Sequence, residues 1–448
     1  MSSRFMMTHT AYIGVGSNIG SYLGLNIDRA LHLLRRNGKI QIVDTSSLYE
    51  SRATEFGKVV AKDDQKNFYN CVAKVRTSLN PFELLSSLKQ VEFQMGRDFT
   101  ARRHGPRIVD LDLLLYHNKE KKFGEIDILT VDSEELQLPH PRMHERDFVL
   151  EPLKEVIEQG ASLLQLDESR YMEKTLVGTV ATYGPYLEWI RGTQCKKLAI
   201  MNATPDSFSD GGALVDPSSR AKQLIQLGAD ALDIGGESTR PGATILPVED
   251  ELNRIEPAIK AALKYCQNVS IDTYKTDVAR RALDLGATVV NDVSGGADPE
   301  MLSLVASRPG VGIVLMHPRE DSKVTHALMT ENKIDYVDAV SLQLEARVTK
   351  AIESGIFRWR IMVDPGIGFG KTHQDSLKLL GCARRLRDSI DGKIPVMIGH
   401  SRKRFLKPSF LGIPDSEEWP SLEVREKVNA MATQRAIEGG ADIVRIHY

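Results

Sequence analysis

The sequence predicts an α/β protein made of two blocks, the second of which is a TIM (β/α)8 barrel. The chain has 448 residues, and at about 100–200 residues per domain this length corresponds to two to four domains. In the C-terminal part, short β-branched or apolar runs alternate with helix-patterned segments, and eight such repeats in about 250 residues is typical of a barrel. Almost every run ends in polar residues, where barrel enzymes carry their sites.

The eight runs define the predicted barrel strands. A doubly wound open sheet remains an alternative at this stage, because periodicity alone does not show closure. The runs are Leu198–Met201, Ala231–Gly235, Val269–Asp272, Thr288–Asp292, Val311–Met316, Ile361–Asp364, Pro395–Ile398 and Asp442–Ile446.

The first block interleaves strands and helices, which indicates an α/β or α+β fold. A Gly-rich turn at Gly16–Gly20 follows the first strand, and its G-x-G-x-x-x-G spacing is one residue too long for a dinucleotide fingerprint. Two polar inserts, Lys58–Lys66 and His117–Glu135, are interpreted as mobile loops. The predicted strands are Ala11–Val15, Ser47–Glu50, Tyr69–Arg76 and Ile108–Tyr116, and the predicted helices are Leu25–Arg36 and Pro81–Met95.

Composition excludes several classes of protein. Lys and Arg number 58 and Asp and Glu 60, so the net charge of −2 points to no nucleic acid partner. No apolar stretch is long enough to span a membrane. The N-terminus is too short and polar for a secretory signal. The four cysteines are widely spaced without a CxxC pair, which argues against disulfides or zinc; they are Cys71, Cys195, Cys266 and Cys382.

One stretch of the first block suggests phosphoryl or pyrophosphoryl transfer. Asp110 and Asp112 are two apart on a predicted strand, so their side chains leave the same face. Paired carboxylates suit Mg²⁺ bound to substrate phosphates. Four arginines precede them, and guanidinium groups match phosphate oxygens. A solvated basic face beside an edge strand is the alternative. The arginines are Arg97, Arg102, Arg103 and Arg107.

This block resembles 6-hydroxymethyl-7,8-dihydropterin pyrophosphokinase. The family's opening Y-I-x-x-G-S-N matches Tyr12–Asn18, its central motif matches Arg97–Asp112, and its P-H…R-x-F-V-L matches Pro139–Leu150. The resemblance implies a ferredoxin-like α+β fold with ATP as a substrate. It also implies two Mg²⁺ on Asp110 and Asp112, with Asn70 and Phe148 holding the pterin. The nucleotide-binding residues implied are Glu92, Arg97, Arg103, Arg107, His140 and Arg146.

Polar residues at the predicted barrel strand ends suit an anionic heterocyclic substrate. Acceptors such as Asp272 and Asn291 complement the ring N–H and amine donors of a pterin. The loop VDPGIGFGKT fails the P-loop pattern because Pro365 stands where glycine is required. Lys403, Arg445 and His447 lie at strands 7 and 8, where TIM barrels frequently bind phosphate.

The second block resembles dihydropteroate synthase over residues 198–447, through the runs TPDSFSDGG, GGESTRPG, SIDTY, NDVSGG, LMH, DPGIGFGK, SRKRF and R-I-H. The resemblance implies condensation of the pterin pyrophosphate with p-aminobenzoate. It implies catalytic roles for Lys403, Arg445 and His447, and one Mg²⁺ on Asn202. The pterin set is Asp233, Asp272, Asn291, Met316, Asp364, Phe369 and Lys403. The aminobenzoate set is Thr239, Arg240, Pro241 and Ser401, and the pyrophosphate set is Asn202, Arg445 and His447.

Together the two resemblances predict a bifunctional folate-biosynthesis enzyme. The expected domains are a pyrophosphokinase over 10–160, a connector with some helix over 161–196, and a synthase barrel over 197–448. A pterin-binding methyltransferase is one alternative for the barrel. A non-catalytic first block, motivated by Phe99 and Pro141, is the other. The expected partners are small-molecule substrates, without nucleic acid or membrane, in a homodimer or higher oligomer through the barrel. The expected location is cytoplasmic, or the mitochondrial matrix with a transit peptide absent from this chain.

Overall fold

The computed structural model describes residues 9–55, 58–59, 65–100, 105–118, 128–157, 174–203, 209–210, 213–214, 216–238, 244–390, 393–415 and 421–448. Within these ranges the chain forms two compact units. The first comprises residues 1–180 together with 357–359, and the second comprises 181–356 together with 360–448. No helix among the described residues is both long and apolar enough to cross a bilayer.

The first unit is an antiparallel sheet with helices, and its order confirms the ferredoxin-like expectation. The sheet runs β10-β3-β6-β1-β7, and β2 also pairs with β6. The path β1-α1-β2-β6-α2-β7 is therefore a split βαβ arrangement. The elements are β1 His9–Ser17, α1 Leu23–Arg35, β2 Ile40–Thr45, β3 Tyr49–Ser51, β4 Thr54–Glu55, β5 Lys58–Val59, β6 Phe68–Thr77, α2 Pro81–Gln94, β7 Asp110–Asn118, β8 Val131–Asp132, β9 Gln137–Leu138, α3 Asp147–Val156 and β10 Leu176–Thr182.

Local chemistry explains where α2 begins. The Asn80 side chain accepts hydrogen bonds from the backbone N–H groups of Phe82 and Glu83, each at 3.0 Å. The Glu83 carboxylate accepts the Asn80 backbone N–H at 2.9 Å, which completes a capping box. Pro81 occupies the first helical position, where a missing N–H costs nothing. This start fixes the helix that carries Lys89 and Glu92 toward β7.

The structure extends or changes several predicted elements of this unit. The predicted turn at Gly16 begins two residues later, at Asn18, because β1 stays paired with β6 through Ser17. The strand β2 and the helix α3 were not predicted. The described part of the predicted connector, 174–196, forms strand β10 and strand β11 (Glu188–Ile190) rather than helix. Residues 60–64 and 119–127 of the two predicted mobile loops, and residues 161–173 of the connector, lie outside the described residues. The described part of the second predicted loop includes strand β8.

The second unit is a closed parallel barrel, which excludes the open-sheet alternative. Eight parallel strands follow one another in the order β19-β18-β17-β16-β15-β12-β21-β20. A parallel bridge between Val363 and Val396 joins the two ends of this order. All eight predicted strands are present. The strands are β12 Lys196–Asn202, β15 Ala231–Gly235, β16 Val269–Asp272, β17 Val289–Asp292, β18 Gly312–Met316, β19 Ile361–Asp364, β20 Met397–Gly399 and β21 Ile443–Ile446.

Helices cover the outside of the barrel, and short strands lie before and between its elements. The apolar faces of the helices pack against outward strand residues such as Leu232, Ile271 and Ile313. The other elements are β11 Glu188–Ile190, β13 Ser209–Asp210, β14 Ala213–Leu214, α4 Pro217–Gln226, α5 Val248–Ala262, α6 Thr276–Asp284, α7 Pro299–Ala306, α8 Ser322–Asn332, α9 Tyr336–Glu353, α10 His373–Leu380, α11 Ala383–Ser389 and α12 Leu422–Glu438.

The barrel interior is divided into an apolar floor and a polar upper part. Tyr183 and Trp189, on either side of a hairpin turn, pack in one buried cluster with the first inward residues of the strands. Two residues further along, the next inward position is polar in four of these strands, as Asp233, Asn291, Asp364 and Arg445. This alternation places the polar groups inside the barrel toward its carboxyl end. The floor residues are Leu198, Ala231, Val289, Val314, Met362, Met397 and Ile443.

Candidate active sites

An open cavity lies in the first unit. It lies on the face of the sheet toward which alternate residues of β7 point. Leu114, on that face, packs with residues of α3 in a buried cluster. The residues around the opening include Gly14, Gly16, Ser51, Arg52, Asn70, Gly105, Arg107, Asp110, Asp112, Arg142, Arg146 and Phe148.

Asp110 and Asp112 stand side by side at the cavity, as their spacing predicts. Arg97 Nη1 donates to Asp110 Oδ1 at 2.6 Å, and Arg107 Nη1 donates to Oδ2 at 2.5 Å. Burial alone would raise the pKa of Asp110, but the charges of Arg107 and Arg97 lower it below its usual value. Burial and the neighbouring Asp110 charge raise the pKa of Asp112. The two carboxylates therefore differ in protonation tendency.

Glu92 does not line the cavity but contacts Arg97, which binds the lining residue Asp110. Its side chain is fully buried and accepts the Leu111 backbone N–H at 2.7 Å. Lys89 Nζ lies 3.1 Å away, and Arg97 Nη1 donates to the same oxygen, Oε1. Burial raises the pKa of Glu92. The geometry makes Glu92 the group that holds Arg97 against Asp110.

The other side of the cavity is polar and aromatic. Asn70 Nδ2 donates to Ser51 Oγ at 2.8 Å, which orients the amide across β3 and β6. Phe148 lies near the start of α3, and the Arg146 guanidinium is 5.8 Å from its ring centroid. Burial lowers the pKa of Arg146, although the Asp112 charge opposes this. An aromatic ring beside an amide suits a flat heterocycle.

The structure brings most of the predicted nucleotide and pterin residues of this unit together. Asn70, Arg107, Asp110, Arg146 and Phe148 line the cavity with Asp112. Arg97 reaches it through Asp110. Glu92 and His140 are not among the lining residues, and burial lowers the pKa of His140. Arg103 lies outside the described residues.

In the second unit, a buried network of carboxylates centres on Arg445. Arg445 Nε donates to Asp233 Oδ2 at 2.6 Å, and its Nη2 donates to Asp272 Oδ2 at 2.5 Å. Asn291 Nδ2 donates to the same Asp233 oxygen at 3.1 Å. Asp233 is entirely buried. These four residues come from four different strands, so the barrel itself assembles them.

Asp272 is poised to change its charge near neutral pH. Burial raises its pKa to about 7, although the Arg445 charge opposes this. Its Oδ1 is buried and has no hydrogen-bond partner within the described structure. An unpaired buried carboxylate oxygen is costly, so a donor supplied by a bound molecule would stabilise it.

A second group of predicted residues lies around Lys403. Lys403 Nζ donates to the Ile367 carbonyl at 2.6 Å and lies 4.6 Å from the Phe369 ring centroid. Burial lowers the pKa of Lys403 to about 8, and the Asp364 charge opposes this. Asp364 Oδ1 accepts the Gly366 N–H at 2.6 Å. Met316 pairs with Asp364 across β18 and β19 and is buried.

The predicted anion-binding residues lie at the same end of the barrel. The Ser401 hydroxyl accepts the His447 backbone N–H at 3.1 Å, and His447 Nδ1 is 3.3 Å from it. Asn202 ends β12, where it pairs with Gly235 at the end of β15. The predicted aminobenzoate residues Thr239, Arg240 and Pro241 lie outside the described residues.

Two features of the barrel site were not predicted from the sequence. Arg445 was predicted to be catalytic and to bind pyrophosphate, and both of its contacts here join it to the predicted pterin carboxylates Asp233 and Asp272. Lys371 was considered only as part of a failed P-loop pattern. Its Nζ lies 3.0 Å from His317 Nδ1 and 3.0 Å from the Phe369 carbonyl. Its position directly after a Gly-rich strand-end loop was the signal available in the sequence.

The structure gives no support for disulfides or a protein-only metal centre in the described chain. All four cysteines are free thiols. Burial raises the pKa of Cys71, Cys195, Cys266 and Cys382. Among the described residues, no three His, Cys, Asp or Glu side chains are grouped so that they could hold a metal ion.

The fold and the sites define a two-domain enzyme that handles a phosphorylated heterocycle. The family model described as 7,8-dihydro-6-hydroxymethylpterin-pyrophosphokinase matches residues 12–158, and the one described as pterin binding enzyme matches residues 198–447. The chain belongs to the family of bifunctional folate synthesis proteins that join 6-hydroxymethyl-7,8-dihydropterin pyrophosphokinase to dihydropteroate synthase.

Curated relatives span the same two domains. The mitochondrial folate synthesis bifunctional protein of Arabidopsis thaliana is 34% identical over 98% of this chain and 80% of its own length. That of Chlamydia muridarum is 31% identical over 97% of this chain and 94% of its own length. The folic acid synthesis protein fol1 of Pneumocystis carinii is 36% identical over 97% of this chain, which spans only 57% of that protein.

A solved structure shows the same fold at low sequence identity. The crystal structure of Plasmodium falciparum HPPK-DHPS with pteroate superposes with a TM-score of 0.70 at 20% identity, covering 98% of this chain and 95% of that one. The relatives that join both domains in one chain argue against the methyltransferase alternative for the barrel.

Proposed function

We propose that each unit catalyses one of two consecutive reactions at the sites described above. In the first unit, pyrophosphate passes from ATP to 6-hydroxymethyl-7,8-dihydropterin with release of AMP. In the second, the resulting ester condenses with p-aminobenzoate to give 7,8-dihydropteroate and pyrophosphate. The observation that carries the proposal is the pair of strand-borne carboxylates flanked by arginines in one unit, and the buried Asp–Arg–Asp network in the other.

Asp110 and Asp112 suit Mg²⁺ in their donor chemistry. Mg²⁺ is commonly held by one or two carboxylates with water and substrate phosphates completing its shell. The two side chains share one face of β7 and line the cavity. We propose that they hold two ions with ATP, which neutralise the phosphate charge when bound.

The arginines are proposed to change partners when ATP binds. Without a nucleotide, Arg97 and Arg107 neutralise Asp110. Arrival of the triphosphate offers them phosphate oxygens, which accept bidentate hydrogen bonds from guanidinium groups as carboxylates do. Arg97 stays close because Glu92 also binds it. His140, Arg146 and Arg103 are proposed to contact the triphosphate, and Asn70 and Phe148 to hold the pterin.

The pterin is proposed to bind the barrel through its polar edge. Its ring N–H and amine donors face acceptors that include the unpaired Oδ1 of Asp272. Asp233, Asn291, Asp364 and Lys403 complete the polar set, and Met316 and Phe369 line the ring. Matched buried groups reject molecules that lack the corresponding donors, which gives specificity.

The pyrophosphate is proposed to leave toward the rim formed by Asn202, His447 and Ser401, with Arg445 bridging the two substrate parts. Cleavage of the C–O bond at the methylene carbon leaves positive charge that the electron-rich pterin spreads. The nitrogen of the weakly basic arylamine then attacks that carbon and loses one N–H proton to the released pyrophosphate or to water. One neutral oxygen from Asn202 suits a single Mg²⁺ only when the pyrophosphate supplies most other ligands; the ion would stabilise the leaving charge. Thr239, Arg240, Pro241 and Ser401 are proposed to shape the aminobenzoate site.

A single substitution tests whether the two sites act independently. Asp110→Ala should abolish AMP release and leave synthesis from preformed pterin pyrophosphate intact. Asp132→Ala, an exposed aspartate in the same unit, serves as the control and should retain both activities. Loss of both activities in a folded Asp110→Ala protein would contradict independent sites.

Assembly and location stay predictions. A homodimer through the barrel is expected to give twice the chain mass in sedimentation equilibrium, and a monomer would contradict it. Location in the cytoplasm or the mitochondrial matrix is decided by imaging the tagged protein in its own cell.

A further inference from the structure

The Gly-rich loop after β19 holds three glycines in a backbone conformation that other residues rarely adopt. Gly366, Gly368 and Gly370 have φ of 65°, 81° and 63°, a region that favours glycine. A Cβ on Gly366 would lie 2.0 Å from the His317 carbonyl oxygen, so the loop backbone approaches β18 very closely. The loop begins after Asp364 and carries Phe369, both of which belong to the proposed pterin site.

Two lysines donate hydrogen bonds to backbone carbonyls of this loop. Lys403 donates to the Ile367 carbonyl at 2.6 Å. Lys371 Nζ donates to the Phe369 carbonyl at 3.0 Å and to the His317 carbonyl at 3.3 Å, and lies 3.0 Å from His317 Nδ1. Lys371 thereby joins the loop to the residue that follows β18.

The hydrogen-bond network assigns the tautomer of His317. His317 Nε2 lies 3.1 Å from Gln343 Oε1, a carbonyl oxygen that can only accept. Nε2 therefore carries the proton, and Nδ1 is left as an acceptor for Lys371. Burial lowers the pKa of His317 to about 4, so the ring is neutral near pH 7. Three acceptors thus converge on the three N–H donors of a charged Lys371 ammonium.

We propose that Lys371 is a positioning residue of the synthase, which holds the 365–370 loop so that Asp364 and Phe369 meet the pterin ring. The inference rests on the proposed function of the barrel site and adds a residue that does not itself contact substrate. Its effect falls on the pterin pyrophosphate, because the two residues that it positions belong to the pterin side. A neutral amine has only two N–H donors and leaves one of the three acceptors unpaired.

The charge of Lys371 is sensitive to pH because of its surroundings. Burial lowers its pKa to about 7, helped by the Lys403 charge and opposed by Asp364, Asp321 and Asp375. Arg347 lies on the far side and forms an ion pair with Asp321 at 2.6 Å. Since the charged form matches the three acceptors, affinity for the pterin pyrophosphate falls as pH rises through about 7.

The test compares Lys371→Met, Lys371→Arg and the control Lys350→Met in the full chain. Lys350 also donates to backbone carbonyls, those of Gly296 and Ala297, but away from this loop. For Lys371→Met we expect KM for the pterin pyrophosphate to rise about ten- to hundredfold, as for one lost charge-assisted contact. KM for p-aminobenzoate and the kinase activity of the same protein should stay within about twofold. Lys350→Met should match wild type.

The arginine variant separates positioning from a merely structural role. Lys371→Arg keeps its charge at every pH, so it should recover part of the affinity and lose the decline of kcat/KM above about pH 7. Asp272 and Lys403 titrate in wild type and in every variant, so their contribution to the pH profile of kcat/KM is the same on both sides of the comparison. An unchanged KM for the pterin pyrophosphate in Lys371→Met, or equal rises for both substrates, would overturn the inference.

A binding measurement distinguishes failure of this inference from failure of the proposed function. Titration calorimetry with 6-hydroxymethyl-7,8-dihydropterin pyrophosphate reports affinity without turnover. Wild type that binds the ester but makes no dihydropteroate would overturn the proposed function while leaving Lys371 testable through the same affinity difference. Equal affinity of wild type and Lys371→Met would overturn the role of Lys371 alone.

Discussion

Replacing Arg445 by methionine tests the buried network of the barrel most severely. The guanidinium joins Asp233 at 2.6 Å and Asp272 at 2.5 Å, and Asp233 is entirely buried. Removing one partner of a buried ion pair lowers the free energy of unfolding by about 3–5 kcal/mol, because the other charge is left uncompensated. The guanidinium also orients two carboxylates of the proposed pterin site, and a lost contact of this charge-assisted kind costs about 1.5–3 kcal/mol. At about 1.4 kcal/mol per factor of ten, the synthase kcat/KM should fall about ten- to hundredfold.

The same substitution should change the pH dependence in a defined direction. Burial raises the pKa of Asp272 to about 7 even with Arg445 present. Without the guanidinium that pKa rises further, so Asp272 is protonated at neutral pH and loses an acceptor. The variant should therefore recover activity as the pH is raised above 7, whereas wild type loses its Asp272 charge only as the pH falls below about 7.

The assay uses preformed pterin pyrophosphate and p-aminobenzoate from pH 6 to 9, with kinase turnover of the same sample as an internal control. Arg281→Met is the matched control, since Arg281 pairs with Glu256 at 2.6 Å but is 47% exposed, where an ion pair contributes about 0–1 kcal/mol. An Arg445→Met protein within about threefold of wild type and with the same pH profile would refute this reasoning.

Three further predictions follow from single contacts. Glu92→Gln should lower kinase kcat about tenfold with little change in pterin KM, because Arg97 loses a charged partner; unchanged steady-state rates would contradict this. Gly366→Ala should abolish synthase activity while sparing the kinase, since its Cβ would lie 2.0 Å from the His317 carbonyl; an active variant would show that the loop can shift. Asn80→Ala should lower the unfolding free energy by about 1 kcal/mol without changing kcat, because it removes the cap of α2; calorimetry should detect a lower transition temperature, and an unchanged one would exclude the cap's contribution.

The barrel strands were predictable because each combines a short apolar run with a polar end, both of which are local features. Inward and outward residues alternate along the strands, and in β15, β17, β19 and β21 a polar inward residue follows an apolar one. The strands β2 and β10 were not predictable in this way. The strand β10 pairs with β3, more than a hundred residues earlier, so its partner is not encoded in its own neighbourhood.

The candidate sites were predictable as sets of residues but not as networks. The i, i+2 spacing of Asp110 and Asp112 determines their shared face. Spacing does not say that Arg97 and Arg107 bind Asp110 itself, because arginine suits carboxylate and phosphate equally. Likewise, Arg445 lies at a strand end, where a phosphate ligand is expected. Only the closed barrel brings it against Asp233 and Asp272.

The central claim is that one chain performs both reactions in sequence. The most direct measurement supplies the purified protein with 6-hydroxymethyl-7,8-dihydropterin, ATP, Mg²⁺ and p-aminobenzoate, and quantifies AMP and 7,8-dihydropteroate by mass spectrometry. The account predicts that both products accumulate, with one AMP formed for each dihydropteroate at completion. Folded protein that forms neither AMP nor dihydropteroate, or that releases AMP without dihydropteroate, would contradict it.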